Sequence, residues 1–330
     1  MHEGITRFEH YLNQLQNLIS ASVKQKNPAL WLYRNDARTP VFMLEGLAKL
    51  YGNLHNEKRF AKIKEHFKLF EDALGSIDHY DSIAKELTTN KKIPKGILAY
   101  IQRQKKEAIQ ILNDLLVKKG WTDSGDNRMV KIHRKLLKAA WLNEDAEIKA
   151  IEEFYGQAIY EIAEFVQNEN FRFDNMETDV HELRRKLRWL SIYPRAVGGC
   201  IQLDINKPMP KRLKKYCIPE ITNSPYNKMP DPGTCKHILL LETNYFYALS
   251  WMISKLGELK DKGLYILAIK EALQQTEGLN EESALRKTYG LLPKSVPRLE
   301  GLLVEAESIC KVYFKEQNLE HLVIGHKQIG

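Results

Sequence analysis

Three side chains that can donate hydrogen bonds to phosphate recur at helical spacing near residue 181. His181, Arg184 and Arg188 fall within about 60° of one another on a helical wheel of about 100° per residue. Guanidinium groups on adjacent turns suit a row of phosphates, and a histidine beside phosphates favours its charged form. The spacing therefore predicts an anion-binding face. Alternatively, His181 caps or packs the start of its helix after Thr178 and Asp179.

A second basic stripe lies near residue 130. Its members share one face of an amphipathic pattern and are Arg128, Lys131, Arg134, Lys135 and Lys138. Met129, Ile132 and Leu136 lie on the opposite face. Like charges this close repel one another unless an anion neutralises them, so the stripe is either a second anion contact or a solvated surface.

Sequence patterns that would support catalysis are missing. The chain has no HExxH motif and no Glu-x-x-His pair, and Cys235 with His237 has no partner nearby in sequence. Asp78-His79 resembles a phosphohydrolase dyad only superficially, and no glycine-rich phosphate loop precedes a helix. We therefore expect no enzymatic activity, no metal and no cofactor.

The elements that must position these residues are helical. With 18 Gly and 12 Pro in 330 residues and long runs rich in Leu, Lys, Glu and Ala, the composition favours an all-α fold. Periodicity predicts helices at 3–24, 29–51, 56–88, 95–119, 127–142, 144–168, 178–203, 237–259, 261–277 and 297–317. The intervening segment 204–236 holds six prolines, which excludes a continuous helix there.

Two ordered markers indicate an internal repeat. The pair Arg34 and Arg38 has the spacing of Arg184 and Arg188, and Leu74-Gly75 recurs as Leu256-Gly257. The sequence separation between the two arginine pairs differs from that between the two Leu-Gly pairs, and an insertion of the segment 204–236 in the second copy accounts for the difference. The sequence therefore predicts two helical repeats, at 1–142 and 143–330.

Four segments of the chain resemble the CHAD family, whose domains carry conserved histidines on an α-helical scaffold of two four-helix repeats. These segments are His181-Glu182-Leu183-Arg184 with Arg188, Leu256-Gly257-Glu258-Leu259-Lys260-Asp261, Leu74-Gly75-Ser76-Ile77-Asp78-His79-Tyr80-Asp81, and Tyr100-Ile101-Gln102-Arg103-Gln104-Lys105-Lys106. The resemblance covers about residues 27–270. The first repeat departs from the pattern, because Trp31 occupies the histidine position and Pro40 interrupts the helix.

The resemblance implies two tandem antiparallel four-helix bundles that bind inorganic polyphosphate, or another phosphate-rich polyanion, without catalysis. The residues expected to bind it are His181, Arg184, Arg185, Arg188, Arg34, Arg38, Arg103, Lys106, Lys131, Arg134, Lys135 and Lys138. We expect a positively charged groove between helices to follow the phosphate chain. Lys207, Lys211, Arg212, Lys214 and Lys215 of the insertion either fold over the ligand or form a basic loop without a function.

The formal net charge of +8 agrees with an anionic partner but does not select one. Nucleic acid is the main alternative because its phosphates attract the same arginines, and a helical scaffold for another protein is a third possibility. The chain shows no signal-peptide pattern and no apolar run of membrane-spanning length. We expect a cytoplasmic protein that does not bind membranes and that associates with polyphosphate granules; the sequence does not specify an oligomeric state.

Overall fold

Asparagine side chains begin several of the helices. In the computed structural model, which describes residues 3–168, 170–205 and 208–329, Asn27, Asn127 and Asn280 each accept a hydrogen bond from a backbone N–H of the first helical turn. Such caps satisfy amide groups that have no partner within the helix. The helices are α1 (Glu3–Ser22), α2 (Pro28–Arg34), α3 (Arg38–Leu54), α4 (Glu57–Thr89), α5 (Lys95–Lys118), α6 (Arg128–Leu137), α7 (Glu144–Asn168), α8 (Glu182–Ala196), α9 (Pro219–Thr222), α10 (Thr243–Glu277), α11 (Glu281–Leu291) and α12 (Leu299–Lys315).

The described chain is mostly helical, so the all-α prediction is confirmed in its coarse form. A small sheet departs from it. Strands β1 (Ile201–Asp204), β2 (His237–Glu242) and β3 (Val323–Gln328) form the order β1-β2-β3. The first pair is parallel, with Ile201 opposite Leu239, and the second is antiparallel, with Leu239 opposite His326.

Two predicted helices were wrong where they enter this sheet. The predicted helix 178–203 stops at Ala196, because Gly198 and Gly199 adopt left-handed φ angles of 64° and 100°. A Cβ on Gly199 would lie 2.2 Å from the Asp231 carbonyl oxygen, so only glycine fits there. The predicted helix 237–259 begins with strand β2 instead.

Other helix boundaries also differ from the prediction. The predicted helix 29–51 is divided into α2 and α3 by a turn in which Asp36 adopts a left-handed φ of 55°. The predicted helices 237–259 and 261–277 are joined within α10, which runs without a break past residue 260. Helix α11 and strand β3 were not predicted from the sequence. The segment Met176–His181, before α8, is a π-helical turn.

Helix α10 begins at the edge of the sheet, and Glu242 fixes its first turn. The Glu242 carboxylate accepts hydrogen bonds from the Tyr245 backbone N–H (2.8 Å) and the Asn244 side chain (2.9 Å). Thr243 donates from its hydroxyl to the Asp204 carbonyl oxygen at the end of β1. An acidic side chain at a helix N-terminus is favoured by the helix dipole, so β2 leads directly into α10.

The chain forms two compact units. Unit 1 comprises Met1–Trp141 and Tyr265–Val296, and unit 2 comprises Leu142–Leu264 and Pro297–Gly330. Unit 1 therefore includes the C-terminal part of α10 and the whole of α11. The two predicted repeats, in contrast, are continuous in sequence, and their boundaries stay a prediction. In the core of unit 1 the rings of Phe8 and Tyr51 lie 5.7 Å apart, and in that of unit 2 the rings of Tyr155 and Tyr193 lie 6.1 Å apart.

The proline-containing segment 204–236 belongs to unit 2, and its described residues are 204–205 and 208–236. Leu213, Tyr216 and Ile221 are buried. The Lys215 ammonium lies 2.5 Å from Glu316 Oε1, and Tyr216 donates to Glu316 Oε2 at 2.7 Å. The segment is thus an ordered part of its unit, although it lacks long regular elements.

Candidate functional site: basic side chains in three places

The predicted binding residues are divided between the two units. His181, Arg184, Arg185 and Arg188 lie on or beside α8 of unit 2. The others lie in unit 1, on α2, α3, α5 and α6 or directly after α6: Arg34, Arg38, Arg103, Lys106, Lys131, Arg134, Lys135 and Lys138. Within the units, three separate places bring basic side chains together.

The first place is an open depression of about 580 Å³ in unit 1, which we call the Tyr33 pocket. It is lined by Leu30, Tyr33, Arg34, Asp36, Arg38, Asp78, Asp81, Lys85 and Lys105. Arg38 donates from Nε to Glu71 Oε1 and from Nη1 to Asp78 Oδ2, both at 2.9 Å. The guanidinium predicted to bind phosphate therefore already has two carboxylate partners.

Asp81 neutralises further cations of the Tyr33 pocket. This buried carboxylate accepts a hydrogen bond from Tyr33 at 2.9 Å and from Lys85 at 2.7 Å, and Lys105 also donates to it. Burial raises the pKa of Asp81, but the hydrogen bonds from Lys105, Lys85 and Tyr33 outweigh it and hold the pKa well below its usual range. Acids and bases thus nearly balance, and Arg34 lies exposed at the rim.

Arg103 and Lys106 lie on the exposed side of α5. The Arg103 guanidinium stacks over the Tyr100 ring at 5.2 Å, and its Nε lies 3.8 Å from Glu107. Lys105, between them, turns to Asp81 instead. Of the three basic residues in this segment, the one that reaches the Tyr33 pocket was not among the predicted binding residues.

The second place is the α8 stripe of unit 2. His181 Nδ1 lies 3.0 Å from Glu177, and Arg185 lies 2.6 Å from Glu182. Arg184 donates from Nε to the Ile253 carbonyl oxygen of α10 at 3.2 Å. Acidic neighbours and a backbone carbonyl therefore engage three of the predicted cations here, and Arg188 is half-buried on the same helix.

The third place lies where α6 runs beside α4 in unit 1. We call it the α4–α6 basic cluster and define it as Lys62, His66, Lys119, Arg128 and Lys135. Arg128 donates from Nε to the Lys119 carbonyl oxygen at 2.8 Å, and its Nη1 lies 3.3 Å from His66 Nε2. Arginine always carries its protons, so the imidazole nitrogen must be the acceptor.

The electrostatics of the α4–α6 basic cluster are those of unneutralised positive charge. Burial lowers the pKa of Lys135, and the charges of Arg128 and Lys62 lower it further. Burial, then Arg128 and Lys135, lower the pKa of His66 to about 4, although Glu65 opposes them. In the described parts of the chain, no carboxylate forms a salt bridge with Lys62, Lys119 or Lys135. A bound anion would relieve this repulsion.

The remaining side chains of the predicted stripe point elsewhere on α6. Arg134 lies 2.9 Å and Lys131 4.0 Å from Asp126, and Lys138 is exposed. Two members of the predicted stripe, Arg128 and Lys135, belong to the α4–α6 basic cluster; of these, only Lys135 was among the residues expected to bind the ligand. His66 and Lys62 were missed, although the positions of Lys58, Lys62 and His66 at intervals of four could have shown a basic face on α4.

Two basic residues of the segment 204–236, Arg212 and Lys215, contact the residue that follows α12 or a side chain of α10. Arg212 donates to the Glu316 carbonyl oxygen and to the Tyr245 hydroxyl, both at 2.5 Å. Lys215 pairs with the Glu316 carboxylate. Lys207, one of the basic residues noted in the sequence, lies outside the described residues. These contacts tie the segment to its own unit.

The fold and the site define a mostly helical protein with a small sheet and an unneutralised basic cluster. No group of His, Cys, Asp and Glu suited to a metal ion occurs among the described residues, and none of the helices described is both long and apolar enough to cross a bilayer. The chain matches no protein-family model, no curated protein and no solved structure. Function must therefore be argued from the site.

Proposed function

We propose that this chain is a non-catalytic polyanion-binding protein, with inorganic polyphosphate as its ligand, and that the α4–α6 basic cluster is its principal contact. The observation that supports this most is the grouping of Lys62, Lys119 and Lys135 around Arg128 without a carboxylate salt bridge to the lysines in the described part of the chain. A chain of phosphates supplies the counter-charges that the fold does not.

The Tyr33 pocket and the α8 stripe are secondary contacts in this proposal. Each already holds acidic partners, which a polyanion would have to displace or tolerate. Exposed Arg34, Arg103 and Lys106 in unit 1 are available to extend the binding surface. The proposed resemblance to the CHAD family agrees with a helical polyphosphate-binding protein, and it stays a proposal.

The tryptophans favour polyphosphate over single-stranded nucleic acid as the ligand. Binding of single strands uses exposed aromatic rings on which bases stack. Trp121 and Trp189 are buried, Trp141 packs against Tyr51, and Trp251 packs against Tyr216; the fifth tryptophan, Trp31, is half-buried on α2. Phosphate contacts alone do not distinguish the two ligands, so the preference must be measured directly.

A competition titration tests the proposal. The full chain would be titrated with long-chain polyphosphate against single-stranded RNA and duplex DNA at two salt concentrations. We expect polyphosphate to displace both nucleic acids and to bind more weakly as salt rises, because counterions compete for the same cations. Stronger binding of either nucleic acid would replace polyphosphate with nucleic acid as the ligand, and no binding of any polyanion would refute the proposed function.

A further inference from the structure

His66 occupies an unusual position within the α4–α6 basic cluster. It is half-buried on α4, and its Nε2 accepts a hydrogen bond from Arg128 of α6 at 3.3 Å. A histidine that accepts a bond from an arginine is held in its neutral form, because the protonated ring has no lone pair to offer. The imidazole is thus placed among cations while it carries no charge itself.

The charged groups that face His66 come from each element around it. On α4, Lys62 lies one turn before His66 and Glu65 directly precedes it. Arg128 and Lys135 approach from α6, and Lys119 directly follows α5. The positive charges among these groups outnumber the single negative charge of Glu65. Together with burial they lower the pKa of His66 to about 4, so the free protein carries an unprotonated His66 at neutral pH.

We propose that His66 is a proton-coupled phosphate contact: a phosphoryl group that binds between Arg128 and Lys135 draws the Arg128 guanidinium to itself, and His66 then takes up a proton and donates it in a hydrogen bond to a phosphate oxygen. The proton comes from solvent, and no covalent bond forms or breaks. This inference rests on the proposed function, since it concerns the same cluster, and it makes His66 the residue that links polyanion binding to pH.

The direction of the coupling follows from the charges. Bound phosphate replaces repulsion from neighbouring cations with attraction, which raises the pKa of His66 in the complex above its value of about 4 in the free chain. Between those two pKa values the complex holds more protons than its free components. By linkage, affinity for polyphosphate must therefore increase as pH falls toward the lower of them.

Isothermal titration calorimetry of the full chain with long-chain polyphosphate, at pH 6.5 in buffers of different ionisation enthalpy, measures this uptake. The slope of observed enthalpy against buffer ionisation enthalpy gives the number of protons taken up. We expect wild type to take up more protons than His66→Gln on binding, by at most about one per cluster occupied. Equal proton uptake by wild type and His66→Gln would refute the inference.

The two possible failures can be told apart. If wild type binds polyphosphate without proton uptake, His66 only supports Arg128 and the inference fails while the proposed function stands. If wild type binds no polyphosphate, both fail. Because His66 is half-buried and its replacement also changes packing, a second measurement uses wild type alone. The NMR titration of the His66 ring should show a higher pKa with polyphosphate than without, and an unchanged pKa would contradict the coupling.

Discussion

Arg184 crosses Gly257 in unit 2, so closely that a Cβ on the glycine would lie 2.9 Å from the arginine Nε. The same arrangement recurs in unit 1, where a Cβ on Gly75 would lie 3.1 Å from Arg38 Nη2. In both units a glycine of a long helix lets an arginine of a shorter helix pass. The contacts match Arg38 with Arg184, whereas the sequence spacing had matched Arg34 with Arg184.

The shared contact pairs the two arginines in a register that differs by one helical turn from that of the predicted internal repeat, which stays a prediction. The two arginines, which were predicted to bind phosphate, make contacts within the protein. Arg184 donates to the Ile253 carbonyl oxygen, and Arg38 pairs with Glu71 and Asp78. Both side chains hold two helices of their own unit together, so part of the arginine spacing in the sequence serves packing.

Replacing Gly257 by Ala should destabilise unit 2. The new methyl group would press on Arg184 and disturb its hydrogen bond to Ile253, at a cost of about 1–2 kcal/mol in the free energy of unfolding, which exceeds the gain of about 0.5–1 kcal/mol from the helix propensity of alanine. Gly156→Ala is the matched control, because Gly156 lies inside α7 with nothing within 4 Å of a new Cβ. There alanine should add about 0.5–1 kcal/mol of stability. Urea denaturation that showed equal effects at both glycines would contradict the packing account.

Glu45 should make stability fall as pH rises. Burial, and then the charge of Glu71, raise its pKa from 4.5 to about 7. The folded chain therefore keeps a proton that the unfolded chain releases above about pH 4.5, and the stability gained from it is lost between pH 4.5 and 7. Glu45→Gln should be more stable than wild type by about 1–3 kcal/mol at pH 8 and similar to it at pH 5.

Thermal or urea unfolding at the two pH values checks this prediction. The control is Glu305→Gln, which changes an exposed carboxylate of α12 and should show little difference at either pH. A Glu45→Gln variant whose stability followed wild type at both pH values would show that Glu45 ionises at its ordinary pKa in the folded chain.

Asp81→Asn should destabilise unit 1 at neutral pH. The substitution removes the charge that accepts hydrogen bonds from Lys85 and Lys105 and leaves Lys105 partly buried without its partner, at an expected cost of about 1–3 kcal/mol. Because the pKa of Asp81 is lowered in the folded chain, its contribution is present above its unfolded pKa and is lost as pH falls below that value.

The difference between Asp81→Asn and wild type in urea denaturation should accordingly be large at pH 7 and smaller at pH 3. Asp72→Asn, in an exposed pair with Lys68 on the same helix, is the control and should cost less than about 1 kcal/mol. A cost for Asp81→Asn that did not change with pH would rule out the ion pairs as its cause.

Local sequence patterns predicted most of the helices, and they failed where long-range pairing decided the structure. The run His237–Glu242 is short, apolar and almost fully buried, with a burial pattern that suits a strand or a helix. Its partners β1 and β3 come from distant parts of the chain. The residues 323–328 have no alternation strong enough to indicate β3 without its neighbour.

The candidate site was predictable only in part for a similar reason. The basic face of α6 was visible in the sequence, so Lys135 was among the predicted residues. The contact between Arg128 and His66 joins residues far apart in the chain. The position of α6 beside α4 also depends on tertiary contacts, such as the hydrogen bond that Asn56 donates to the Ala140 carbonyl oxygen. Helical spacing alone also cannot show that Arg38 forms salt bridges with two carboxylates, or that Lys135 forms none with the described residues.

Polyphosphate titration of two charge-matched double variants tests the central claim most directly. Lys62→Glu with Lys135→Glu reverses two charges of the α4–α6 basic cluster, and Lys91→Glu with Lys92→Glu makes the same change in net charge at exposed positions elsewhere in unit 1. We predict that the cluster variant loses about tenfold or more in affinity and shows a shallower salt dependence, while the control stays within about threefold of wild type. Equal losses in the two variants, with helical content retained in both, would contradict the assignment of polyanion binding to this cluster.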